Sequence, residues 1–164
     1  MTLQVPRGQW PRLLRAAARE SLLAEARIMR ETLAMRYLAL PQNGLALLPL
    51  RDGAYHESFN LGEIPLAQVR VALQRGHGEE ARGAAWVMED DMETVTALAM
   101  ADAVMAANWP EAAPFIDLLA QGEIVIERLD REHRAMLAAT TVDFSLLGSA
   151  EDDDEDADKE QDHA

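Results

Sequence analysis

The chain contains no cysteine. It therefore carries no disulfide, no thiolate zinc site and no cysteine-ligated iron–sulfur cluster. It also lacks the run of about 18 uncharged apolar residues that a membrane-spanning helix requires, and its N-terminus lacks the basic-then-apolar pattern of a secretion signal. The expectation is a soluble, cytoplasmic chain without a membrane partner. Basic charge is scarce: 15 Lys and Arg against 29 Asp and Glu leave a net charge of −14. A field of that sign repels phosphate backbones, which argues against nucleic acid binding. Catalytic motifs are missing too, with no GxxxxGK loop, GxSxG, HExxH or dinucleotide fingerprint. Gly76-His77-Gly78 has too few glycines for a phosphate loop and is followed by two glutamates. His56, His77, His133 and His163 show no ligand-like spacing. The sequence thus assigns no catalytic, cofactor-binding or metal-ligating residue.

What is there suffices for one core: 164 residues, 49% apolar, can build a single buried domain. The charge is uneven. Residues 151–164 hold nine acids and one lysine, a net of −8. With no apolar side chain larger than alanine, that stretch cannot offset the entropy of ordering and reads as a disordered tail. It is an acidic interaction arm or, as charge runs usually are, a solubilising tail. The N-terminal third is locally basic, with Arg7, Arg12, Arg15, Arg19, Arg27, Arg30 and Arg36 against Glu20, Glu25 and Glu31. Pro11 suits a first helical turn, and Leu14, Ala17, Ala18 and Leu22 recur at helical spacing. Arg12, Arg15 and Arg19 fall on another face, solvated as such faces usually are, or docking an acidic subunit surface or a phosphate. Ser21 is placed to cap a second segment, Leu22 to Arg30, with one continuous helix as the alternative.

From Thr32 to Met88 the rhythm shifts toward period two, as in an antiparallel sheet. Met35, Tyr37 and Ala39 alternate, and Pro41-Gln42-Asn43-Gly44 reads as a turn into Leu45–Leu50. Asp52-Gly53 predicts a hairpin pairing Leu45–Leu50 with Tyr55–Leu61, with a break over Gly62–Pro65. Val69, Val71 and Leu73 share one face, of a strand or of a short helix over 67–74. Residues 75–82 read as a polar loop.

A short apolar strand, Ala84 to Met88, then enters an acidic turn and an amphipathic helix. Asp90 and Asp91 sit where a helix needs an N-cap, with Glu93 three residues after Asp90 as in a capping box, and a helix start favours carboxylates, so capping outweighs metal binding there. Val95, Leu98, Asp102 and Met105 form a stripe. A buried unpaired carboxylate is costly, so Asp102 is expected to meet an arginine or backbone donors, within the domain or across an interface. After a break at Asn108-Trp109-Pro110, a short helix over Phe115–Ala120 ends at Gln121-Gly122. A longer one follows over Glu123–Ala139, with Ile126, Leu129, His133, Met136 and Leu137 on one face. Met88, Met92, Met100, Met105, Met136, Trp86 and Trp109 divide between core and partner surface.

The order of these pieces carries a resemblance. Trp10 opens the helical region, Gly44-Leu45 precedes a strand, Phe59 and Gly62 precede a second, and Trp86-Val87 lie on a third. Ala101-Asp102-Ala103 sit in the following helix, and Val142-Asp143-Phe144 come last. In order and spacing, from roughly Trp10 to Leu147, this resembles the PhnG family of the phosphonate carbon–phosphorus lyase system. The chain departs from the family pattern in its Arg-rich start and in the acidic extension after Gly148.

The resemblance implies an accessory, non-catalytic subunit that assembles with PhnH, PhnI and PhnJ type subunits. Their joint first step replaces the adenine of ATP with an alkylphosphonate, giving α-D-ribose 1-methylphosphonate 5-triphosphate. It also implies that adenine displacement belongs mainly to the PhnI type subunit and radical C–P cleavage to the PhnJ type. The expected architecture is α+β, a mostly antiparallel sheet flanked by N-terminal and C-terminal helices. It occupies residues 1–148, with the disordered acidic tail over 149–164. Interface candidates are Trp86, Asp102, Asp143 and Phe144. Two rival readings stay open: a free-standing regulatory or adaptor domain whose acidic tail binds a basic partner, and a self-sufficient phosphotransfer or nucleosidase enzyme using Asp90, Asp91 and a histidine.

Overall fold

In the computed structural model, residues 5–76 and 78–140 are described. Asp143, Phe144 and the acidic tail lie outside them. The chain divides into two units, Met1–Glu127 and Arg128–Ala164. The first holds two short helices, α1 (Trp10–Ala16) and α2 (Arg19–Thr32), then strands β1 (Ala34–Arg51), β2 (Ser58–Gln74) and β3 (Glu80–Val87), and helix α3 (Met92–Ala106). Helix α4 (Ala113–Ala139) starts here, and in the second unit the described residues are its exposed remainder and Thr140. The sheet is antiparallel in the order β1-β2-β3. Helices at both ends of an antiparallel sheet make the fold α+β, as the sequence implies.

The core lies between α3 and one face of β2 and β3. Ala67, Val69, Val71 and Leu73 alternate inward on β2, opposite Val87, Ala85, Gly83 and Ala81 on β3. The strand alternative for residues 67–74 is the observed one. Helix α3 is not amphipathic: it is buried on nearly every side, from Thr94 to Met105 with Asp102 half-buried. It touches the sheet on one side and α1 and α2 on the other, and a helix apolar all round belongs in such a position. Small side chains let it approach β3, since a Cβ on Gly83 would stand 2.0 Å from the Ala99 carbonyl oxygen.

Several expected boundaries move. The N-terminal helix breaks at Ala17 and Ala18, both extended, and Ala18 rather than Ser21 is the N-cap of α2. Pro41–Gly44 makes no turn, because β1 continues through it by shifting register between Tyr37 and Gln42. A bulge absorbs a proline that a regular ladder would exclude. Gly62–Pro65 makes no break either, and Leu45–Leu50 pairs with Phe59–Pro65. The Asp52-Gly53 turn widens into a loop over 52–57, where the Asp52 carboxylate accepts the Tyr55 N–H at 2.6 Å and His56 takes a positive φ of 59°. The loop after β2 is shorter than expected, because β3 begins at Glu80.

Gly122 does not end a helix. Phe115, Leu118, Leu119 and Gly122 form one buried face of an unbroken α4. The glycine is there for closeness, since a Cβ would lie 2.0 Å from the Leu13 carbonyl oxygen of α1. The break before α4 is real, with Asn108 at a positive φ of 53°. There Arg75 stacks 4.6 Å from the Trp109 ring centroid and pairs with Glu111.

Candidate functional site

β3 pairs only with residues 67–74 of β2, so the hairpin beyond, Gly44–Arg51 with Ser58–Leu66, has no third strand. At the usual strand rise this ribbon is about 30 Å long. It carries exposed apolar side chains: Leu45, Leu47, Leu50, Phe59 and Leu61. An apolar surface of this extent marks an interaction site. Pro49 and Pro65 lie along it and Pro41 just before it on the β1 edge, and prolines on open edges discourage strand-by-strand addition. The ribbon therefore offers its side-chain faces.

Trp86 stands at the root of this arm. On the outer sheet face, Gln42, Gln68 and Trp86 form one cross-strand row. Gln68 Nε2 donates to Gln42 Oε1 at 3.2 Å, and the indole is 69% exposed. The other two indoles are less exposed, Trp10 being buried and Trp109 half-buried. Trp10 donates from Nε1 to the Val5 carbonyl at 3.0 Å, while Trp109 lies under Arg75. The methionines divide in the same way, Met100 and Met105 being buried and Met88 and Met136 exposed.

Asp102 has the partners its position demands, and they lie within the chain. Arg7 forks onto its carboxylate at 2.7 and 2.6 Å, and the Ala84 N–H donates to it at 3.0 Å. The bond from Ala84 satisfies a donor of β3 that β2 does not reach. Asp102→Ala is expected to cost about 1–3 kcal/mol by orphaning that donor and the guanidinium. Asp102→Asn, which keeps an acceptor, should cost less, and urea unfolding of both variants checks the order.

The acidic turn is a cap and a clamp. Of the two expected caps, Asp91 is the N-cap of α3, accepting the Glu93 and Thr94 N–H groups at 3.0 and 3.1 Å. Asn43 Nδ2 donates to Asp90. Sequence reasoning missed what the basic N-terminal third does here. Arg15 pairs with Glu89, Arg19 with Asp91 and Arg27 with Glu93, so two members of the arginine stripe are spent inside the domain. Partial burial pushes the Asp91 carboxyl up, but the Thr94 N–H and hydroxyl and then Arg19 outweigh it and hold the pKa at about 2.

A depressed carboxylate stabilises the fold above its unfolded pKa and stops doing so as pH falls through the folded value. Thermal stability should therefore drop between about pH 4 and pH 2. Asp91→Asn, which keeps a cap oxygen but cannot titrate, should flatten that part of the profile. Asp91→Ala should cost about 1–2 kcal/mol at neutral pH. Melting curves of the three proteins across this range decide it.

Among the described residues no group of three or more His, Asp or Glu converges as a metal site, and no helix is long and apolar enough to cross a membrane. A family model described as phosphonate metabolism protein PhnG matches residues 5–148. No curated protein gives a significant match.

Proposed function

Because the chain belongs to the PhnG family of phosphonate metabolism proteins, we propose that it is an accessory, non-catalytic subunit of the carbon–phosphorus lyase core complex. In this reading it assembles in the cytoplasm with PhnH, PhnI and PhnJ type subunits. It thereby supports formation of α-D-ribose 1-methylphosphonate 5-triphosphate from ATP and methylphosphonate, with release of adenine. The observation that carries the reading is the apolar arm. A chain whose core closes between α3 and the sheet has no internal use for a further stretch of exposed leucines and Phe59. An obligate subunit does, because its partner supplies the other half of that core. Trp86 is the aromatic anchor at the arm's root, a residue type enriched at interface centres. Asp143 and Phe144 are further candidate contacts, and Asp102 serves the surface indirectly by holding Arg7 and β3.

Co-expression of the tagged chain with the three partner types tests this, followed by affinity purification, native mass measurement and an assay of adenine release from ATP plus methylphosphonate. The expected result is a stable complex whose activity disappears when this chain is omitted. A well-behaved monomer that ignores those partners overturns the reading in favour of a free-standing adaptor.

A further inference from the structure

A cavity of about 260 Å³ opens between α2, the first half of β1 and α3. Its floor is apolar and fixed, made by Leu23, Ala26, Ala97 and Met100, all buried. Its mouth is polar: Arg27, Arg30, Tyr37 and Glu93 line it. Glu93 is neutralised by Arg27, 2.8 Å from one carboxylate oxygen, and by Arg19, 3.6 Å from the other. Among the described residues the Arg30 guanidinium and the Tyr37 hydroxyl have no hydrogen-bonding or ionic partner. The lining thus carries a surplus of one positive charge in a chain of net −14.

We propose that this cavity binds a small organic oxyanion, a phosphonate with a short alkyl group. The oxyanion lies at Arg30 and Tyr37, with Arg27 beside them, and the alkyl group lies on the Leu23–Met100 floor. A guanidinium fork matches the oxygens of a phosphonate, and charge-assisted hydrogen bonds are the strong ones. The floor supplies what inorganic phosphate cannot use, because each buried methylene adds to affinity. The oxyanion and apolar halves of the site come from its lining. The choice of phosphonate among oxyanions rests on the function proposed above.

Isothermal titration of the full chain with n-propylphosphonate, methylphosphonate and inorganic phosphate tests it. Saturable binding is expected in that order of affinity, at about fourfold per methylene. Arg30→Ala should weaken propylphosphonate at least about tenfold, the scale of one charge-assisted hydrogen bond. Tyr37→Phe should weaken it less, and both variants should still co-purify with the partner subunits. No saturable binding in the millimolar range overturns the proposal, as does phosphate binding as tightly as propylphosphonate, or an Arg30→Ala protein that binds unchanged. No binding by the unsubstituted chain, with its co-purification intact, would condemn the cavity alone. Intact binding without co-purification would condemn the subunit reading alone.

Discussion

Gly83→Val should leave no folded protein at room temperature, and Gly83→Ala should already cost about 3 kcal/mol, the upper end of overpacking penalties. The reason is where the new atom lands. A Cβ at this position would lie 2.0 Å from the Ala99 carbonyl oxygen and 2.5 Å from the Ala103 nitrogen. Both are backbone atoms of α3, so no side chain can rotate away and the helix itself must lift. Lifting α3 opens its contact with Val69, Val71 and Ala85, all buried. Gly44→Ala is the control, because nothing lies within 4 Å of its Cβ position, and it should stay within about 0.5 kcal/mol of the parent. Urea unfolding followed by circular dichroism separates the two. A Gly83→Ala protein as stable as the parent would mean that α3 does not sit on β3 as described.

The double variant Leu45→Glu, Leu61→Glu should leave the isolated chain as stable as before and abolish co-purification with the partner subunits. Both side chains are more than 60% exposed in the free chain, so glutamates there cost the monomer almost nothing. In an apolar interface two unpaired carboxylates would have to be stripped of water, a heavy cost for each. An affinity loss of at least about 100-fold is expected, the size of a hot-spot deletion. Melting temperature of the purified chain and yield of co-purified partners are the paired readouts. Lower stability with unchanged assembly would place these leucines in a structural role.

The parts of the fold legible in the sequence are those where one local rule governs. The second half of β3, the break before Pro110 and an acidic start to α3 follow from period two, proline chemistry and the helix dipole. Asp102 was legible as a need, since an acid on an apolar stripe requires a partner. Which partner was not, because Arg7 stands 95 residues away and no local rule reaches that far. The arm was hidden by its own punctuation. Pro41, Gly44, Gly62 and Pro65 read as stops, yet a two-stranded ribbon with register shifts tolerates them. Gly122 misled in the same way, its value lying in the approach of α1 rather than in a helix end. The ion pairs of Arg15, Arg19 and Arg27 with residues 89–93 were invisible to a linear reading that set each charge run against solvent.

The unequal covering of the three indoles gives the molecule a built-in optical reporter. Trp10 is buried and Trp109 half-buried under Arg75, so their emission should change little while the domain stays folded. Trp86 faces water at the root of the arm and should emit at long wavelength in the free chain. Any partner that seats itself on that sheet face will dry the indole and shift its emission to the blue, and Trp86→Phe will erase the signal without touching the other two.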